Sequence, residues 1–429
     1  MTAGLPPAFA KIWLSHAITQ TATKSTAIVL PLLAVVSFDA TPGQVGLVNA
    51  AQAVPLFLFT LLSGAWLDTH ARRPNLLVAH NARAAALLLA VPVLAFADGS
   101  GSGVWLLSAI AFTAGTLTAL ADVTYPVYVP TLVGPAHLVA ANSRLEVVSS
   151  LTQVAAPGLG GLLIGTLGGT WSVALAGVLY LAGGAAVFLI RTPEGFIRPE
   201  NTRGRLVRDT VAGARFLART PMLRLLAAEA AWFNLFEQAV VTAYLVFAVR
   251  TLHLSLVELG ASMGVGAAGA VLGSGLARRF GRALGMRRVL VAGMFAASAA
   301  PALIPAAAAV VRAPAAIAGL SFVLYGFGLA VFNVFSVSMR QLITPKDRLG
   351  RVTATFRFVA FGTIWVGALV GGGLGEWLGL EPTLWIAVAA LVAGWAVFAT
   401  RLRALLKAAP ELREQTESLV GSGKRESSA

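Results

Sequence analysis

The chain alternates between long apolar runs and short polar interruptions. Twelve runs are each long enough, at about 20 residues, to cross a hydrocarbon core as a helix. They cover residues 8–36, 45–67, 76–97, 104–129, 142–168, 171–190, 223–248, 257–277, 288–311, 314–337, 353–375 and 383–400. One interruption differs from the others: it is dense in arginine and carries Pro193, Pro199 and Pro221 as breakers, and it divides the runs six and six. Inside it, Leu206 to Leu217 has the pattern of a basic amphipathic helix lying along a membrane surface. The expected organisation is a six-helix bundle over 1–191, a cytoplasmic basic linker over 192–221, a second six-helix bundle over 222–401, and a polar cytoplasmic tail over 402–429. The tail is expected to be disordered from about Gly421. The first run is long, studded with polar residues and lacks a cleavage-site pattern, so it reads as the first span rather than a removable leader.

The two halves echo one another. Thr131-Leu-Val-Gly-Pro135, Ala141-Asn142 and Gly158-Leu-Gly160-Gly161 in the first half find counterparts in the second. These are Gln341-Leu-Ile-Thr-Pro345, Arg351-Val-Thr and Gly371-Gly372-Gly373, about 210 residues on. A duplicated bundle of this kind places its site at mid-membrane between the halves.

Composition supports an all-α integral membrane protein. Only 12% of the 429 residues are charged, against about 25% in soluble domains, and mean hydropathy is +0.79. The net charge of +14 would point to nucleic acid in a soluble chain. Here its placement encodes orientation instead. The basic residues gather in alternate loops, at Arg72 and Arg73, Arg191 to Arg224, Arg278 to Arg288, Arg340 to Arg351, and from Arg401 onward. The intervening loops carry Asp39, Asp98, Glu258, Glu376 and Glu381. By the positive-inside rule both termini are cytoplasmic, in a multi-pass protein of the cell membrane. Cysteine is absent, which excludes disulfides and thiolate metal sites. The five histidines are scattered without metal-ligand spacing, so neither a metal nor an organic cofactor is expected. Gly264-Val-Gly266-Ala-Ala-Gly269 lacks a preceding strand and reads as helix packing, not as a nucleotide loop.

Ionisable groups within spans cost about 2.5–3.5 kcal/mol each on insertion scales, so each one calls for a reason. In the first span His16, Thr19, Gln20, Thr23 and Lys24 form one polar stripe. In the seventh, Glu229, Trp232, Phe233, Phe236 and Glu237 share the same spacing, and a single offset matches His16 to Glu229 and Lys24 to Glu237. The two spans are therefore expected to face each other across a central cavity, with Lys24 and Glu237 as a breakable ion pair. Glu229 and Asp122 are further candidates for proton coupling, alongside Arg83 as an intramembrane cation. His16 is the one histidine expected in the cavity. Gln20, Asn49, Gln52, Tyr125, Tyr128, Trp232, Phe233, Phe236, Phe332 and Asn333 are expected to line it.

Between the second and third runs stands Gly64-Ala-Trp-Leu-Asp68-Thr-His-Ala-Arg72-Arg73-Pro74. This loop resembles the signature of the major facilitator superfamily, with Trp66, Thr69 and Ala71 departing from its usual residues. The resemblance implies the major facilitator fold, with twelve transmembrane helices in two halves. It also implies a conformational latch in which Gly64, Asp68, Arg72 and Arg73 work against the start of the eleventh span, where Arg351 and Arg357 lie. Ala156-Pro157-Gly158-Leu-Gly160-Gly161 resembles the fifth-helix motif of antiporters. With Arg340 to Pro345, Pro55 and Arg83, it is similar to the enterobactin-exporter and macrolide-efflux branch. No basic residue occupies the fourth span, where antiporters of the superfamily often carry one.

Together these readings predict a secondary transporter, not an enzyme. It would export amphipathic small molecules of drug, macrolide or siderophore type by proton-coupled alternating access. An importer, a uniporter or a lipid-related transporter of the same fold is the alternative, and a membrane sensor or enzyme is a weaker one. The expected partners are a small-molecule substrate and the lipid bilayer, with no nucleic acid, and the chain is expected to act as a monomer.

Overall fold

The computed structural model describes residues 5–67, 71–96, 102–134, 137–192, 203–309, 313–345 and 348–408. Every regular element among them is a helix. The first six are α1 (Pro7–Phe38), α2 (Pro42–Leu67), α3 (Arg72–Phe96), α4 (Ser102–Val133), α5 (Leu138–Leu167) and α6 (Gly169–Phe188). The arginine-rich linker contains α7 (Arg203–Arg219), so an amphipathic helix forms where the pattern placed one. The rest is α8 (Pro221–Arg250), α9 (Leu256–Gly264), α10 (Gly266–Leu284), α11 (Met286–Ala299), α12 (Leu303–Ala306), α13 (Pro314–Ile343), α14 (Leu349–Phe361), α15 (Ile364–Trp377) and α16 (Leu380–Ala408).

Three expected spans are thus broken helices. The eighth bends where Gly264 and Gly266 flank Val265, and Ser255 caps its start in a reciprocal box with Glu258. The ninth carries Pro301 and Pro305, which remove helix hydrogen bonds and tighten it into short 3₁₀ turns around α12. The eleventh breaks at Gly362-Thr363. In lipid a freed carbonyl must find a partner. Here Asn234 of α8 donates to the Ala360 carbonyl (2.8 Å), and the Thr363 hydroxyl bonds to Ala231 of α8 (2.8 Å). α5 bends by 45° near residue 154, one turn before Pro157. Among the described residues, ten spans, some of them broken, are long and apolar enough to cross a membrane, and the bent α5 makes an eleventh. α2, at 26 residues and packed between α4 and α15, is consistent with a twelfth.

In the first half α1 packs on α5 and α6, α2 on α4, and α3 on α6 and α4; in the second, α8 packs on α15 and α16, and α13 on α10 and α11. Two contacts join the halves extensively, α2 with α15 and α5 with α9. The apolar core shows the same asymmetry. One cluster runs continuously from the first half into the second through Leu33, Phe38, Val45, Val246 and Phe247. A separate cluster around Phe9, Ile12, Leu76 and Tyr128 stays within the first half. The halves are fused at one end and parted at the other.

The spacing of Gly161, Gly165 and Gly169 would suit one small-residue packing face, but α5 ends at Leu167 and Gly169 opens α6, packed against Leu33.

Candidate functional site

The fused end is built from backbone-to-backbone approach. A Cβ on Gly158 would lie 2.7 Å from the Gly264 Cα, and one on Gly161 would overlap Gly260, so α5 and α9 touch where neither has a side chain. α2 meets α15 the same way: a Cβ on Gly46 would lie 2.6 Å from the Ala368 carbonyl. Polar clasps surround these seams. Asn49 of α2 donates to Thr242 of α8 (3.2 Å), the Gly43 amide donates to Glu376 (3.2 Å), and Arg250 reaches both Asp39 (2.6 Å) and the Ala40 carbonyl (2.9 Å). Of the fifth-helix residues, Gly158 and Gly161 therefore belong to this closure, whereas Gly160 is set against Ser25 of α1 in its own half and Pro157 immediately precedes the contact. The equivalence expected between the fifth and eleventh spans is only partial. Gly367 and Gly371 pack on α8 of their own half, while Gly372 and Gly375 meet α2.

Toward the parted end, charged groups converge from both halves. Asp122 of α4 lies deep between the halves, yet its side chain is exposed, which is how a residue on a cleft wall behaves. Gln20 donates to it (3.5 Å), and the cations whose fields reach it are Lys24 of α1, Arg83 of α3 and Arg357 of α14, in the other half. Glu237 accepts a hydrogen bond from the Tyr325 hydroxyl of α13 (3.1 Å). The expected Lys24–Glu237 ion pair is not formed in this conformation: Glu237 is held by Tyr325, and Lys24 acts on Asp122 instead. Phe57 of α2 stacks on Phe358 of α14 (4.8 Å between ring centroids) and lies against Gly362, so the eleventh-span break faces the opposite half.

Behind Asp122 lies a buried polar network that the sequence reading did not assemble. Arg83, 2% exposed, donates to Thr23 (3.2 Å), Thr118 (3.1 Å) and the Ala79 carbonyl (3.0 Å), and its guanidinium sits 4.5 Å from the centre of the Tyr180 ring. It also lies 3.2 Å from His80 Nδ1. Arginine only donates, so Nδ1 accepts and Nε2 carries the proton. His80 Nε2 then donates to the Tyr125 hydroxyl (3.1 Å). Ser15 gives its own proton to the Gly183 carbonyl (2.9 Å), so Tyr125 donates to Ser15 (3.1 Å). One direction of donation thus runs from Arg83 to Gly183 through three side chains. His80, fully buried, is the histidine that sequence reasoning missed; His16 lies nearby, edge-on to Tyr125 and bonded to Ser149 (3.1 Å). The signal available was position: His80, Arg83 and His16 fall on facing stripes of α3 and α1.

Other expected cavity residues divide. Tyr125 and Tyr128 are buried in the first half and do not line the cleft. Trp232 donates its indole N–H to Ala390 of α16 (2.7 Å) with its ring against Gly394, and Phe236 packs on Trp232, so this pair joins α8 to α16. Phe233 stacks on Tyr325, and Phe332 packs edge-on to Phe398, both inside the second half. Asn49 is engaged at the fused end, Gln52 is half-buried on α2, and Asn333 is exposed on α13. Glu229 is 5% exposed and has no hydrogen bond among the described residues.

Of the residues expected to form a latch, Asp68 lies outside the described residues and Gly64 stands in the last turns of α2. Arg73 donates to the Phe188 carbonyl (2.7 Å) at the end of α6, a basic cap on a helix C-terminus within its own half. α7 packs on α14, where Gly213 approaches the Arg351 carbonyl and Phe216 lies under the Arg348 guanidinium (5.4 Å).

The family model described as Major Facilitator Superfamily matches residues 12–365. The chain is 28% identical over 373 residues to the multidrug efflux pump Tap of Mycolicibacterium fortuitum, covering 84% of this chain and 88% of that one. It is 24% identical over 389 residues to the enterobactin exporter EntS of Citrobacter koseri, covering 86% and 85%. Among solved structures, a bacterial homologue of the iron transporter ferroportin in its inward-facing state superposes with a TM-score of 0.70 at 17% identity, covering 92% of this chain and 98% of that one.

Proposed function

Because this chain belongs to the major facilitator superfamily and is a multi-pass membrane transporter with efflux pumps among its relatives, we propose that it exports amphipathic small molecules across the bacterial plasma membrane. The proposed mechanism is alternating access driven by the proton gradient. The observation that carries this reading is a cleft walled by polar and ionisable groups from both halves, Asp122 and Gln20 on one side and Arg357 and Glu237 on the other, with one end sealed by backbone contact. With the arginine-rich loops placed in the cytoplasm, the sealed end is external and the conformation is inward-facing.

The parts have separate work in this cycle. Asp122 and Glu237 are the proton-exchanging carboxylates, each held by a neutral donor (Gln20, Tyr325) rather than by a permanent ion pair, so gaining a proton breaks no salt bridge. Lys24 and Arg357 face Asp122 from the two halves, so a proton or a substrate cation arriving at this carboxylate competes with them. The seams α5–α9 and α2–α15 open when the cytoplasmic ends close, and the latch around Asp68, Arg72 and Arg73 forms in that state. Each proton moved through 100 mV supplies about 2.3 kcal/mol, enough for tens-fold accumulation. The test is efflux of a panel of macrolides, other antibiotics and siderophores from cells expressing the chain, with and without a protonophore. Protonophore-sensitive loss of at least one compound is expected; loss unaffected by the protonophore would remove proton coupling, and inward movement would reverse the direction.

A further inference from the structure

On the outside of the second half, α11 and α16 enclose a groove of about 540 Å³. Its upper wall is cationic: Arg287 and Arg288 project from the first turn of α11 and Arg403 from the last turns of α16, all three exposed. Among the described residues that line it, none is acidic. Its lower wall is apolar, formed by Val291, Phe295 and Trp395. The floor is rigid, because Trp395 donates its indole N–H to the Val291 carbonyl (2.9 Å) and its ring packs on Phe295 (4.7 Å between centroids). Phe295 nevertheless stays 44% exposed.

A cationic rim above an apolar slot, at the membrane-boundary end of two spans, complements a molecule with an anionic head and hydrocarbon tails. We infer that this groove is a binding site for an anionic phospholipid, with the phosphate held by Arg287, Arg288 and Arg403 and an acyl chain laid along Phe295 and Trp395. Guanidinium groups match phosphate oxygens two at a time, and basic pockets between spans recognise such head groups. The start of α11 adds its unpaired amides and positive dipole end to the same place. Free phosphate would satisfy the arginines but leave the aromatic slot empty, and a second copy of the chain would have to bring an acidic surface. The bilayer supplies both head and tail. The site lies outside the central cleft and does not depend on the export reading.

The full chain, purified in mild detergent and titrated with phosphatidylglycerol, phosphatidylethanolamine or inorganic phosphate, is read by native mass spectrometry. The wild type is expected to retain phosphatidylglycerol at least tenfold better than phosphatidylethanolamine, with no displacement by phosphate at equal concentration. The triple variant R287Q/R288Q/R403Q is expected to lose that preference. The matched triple R278Q/R279Q/R282Q, which removes equal charge from the end of α10, is expected to keep it. Ala399→Trp, which fills the slot without touching a charge, is expected to lower retention of both lipids. Equal retention by wild type and the groove triple, equal loss in both triples, displacement by phosphate alone, or a dimer that the groove triple abolishes would each overturn the assignment.

Discussion

Arg250, at the end of α8, places Nη2 2.6 Å from Oδ1 of Asp39, the residue that ends α1 in a left-handed turn. This pair ties the end of α1 in one half to the end of α8 in the other, beside the seam where α2 meets α15. Asp39 is 96% exposed, so the pair sits in water and its worth is that of a surface ion pair, about 0–1 kcal/mol. It trims a conformational equilibrium rather than locking it.

Asp39→Asn should therefore raise the population open at this end by up to about fivefold. The absence of native cysteine makes the measurement direct. A cysteine replacing Thr242, buried at the seam, should react faster with a membrane-impermeant maleimide in the D39N background, and the swap D39R/R250D should restore the slower rate. An unchanged rate would mean the glycine seams alone set closure.

Gly161→Leu addresses those seams. A side chain there meets Gly260 backbone, and overpacking of a close contact costs about 1–3 kcal/mol. The variant should insert normally, hold the sealed end open in the same maleimide assay, and transport poorly. Gly275→Leu, at a position on α10 with open space around it, should behave as wild type.

The seams also show how much could be read from the chain. The spans and the linker helix follow from patterns within about 20 residues, where composition and periodicity decide. Which face meets which partner does not. Gly161 and Gly371 occupy echoing places in the two halves, yet Gly161 crosses to the other half while Gly371 packs on α8 and leaves its neighbour Gly372 to meet α2. The same limit applies to the site. The one-offset match of Lys24 to Glu237 placed both on facing spans, but Tyr325, from a span the match did not include, holds the carboxylate. His80 was scored by the absence of metal spacing, whereas its role is set by Arg83 three residues on and by Tyr125 across the bundle.

Asp122→Asn and Glu237→Gln remove one proton site each while keeping shape. Both should leave insertion intact and reduce protonophore-sensitive efflux by more than tenfold. Tyr325→Phe, which removes only the donor to Glu237, should alter the pH dependence of efflux while retaining a measurable rate. Efflux of normal size and pH dependence in D122N would exclude Asp122 from coupling.

Arg83→Lys keeps the charge but loses the fork that serves Thr23, Thr118 and His80 together. Each buried polar group left without its partner costs about 1–3 kcal/mol, so the variant should show a lower thermal midpoint in detergent. Tyr125→Phe, which interrupts donation between His80 and Ser15, should cost less, about 1 kcal/mol. A midpoint unchanged in R83K would show that the network contributes nothing to stability.

The most direct test of proton-coupled export is purified protein in liposomes under an imposed pH difference, with a fluorescent substrate found in the cell-based panel. The account predicts saturable substrate movement counter to the proton flow, abolished by a proton ionophore and by Asp122→Asn with Glu237→Gln. Saturable movement that persists in the double variant and ignores the pH difference would contradict it.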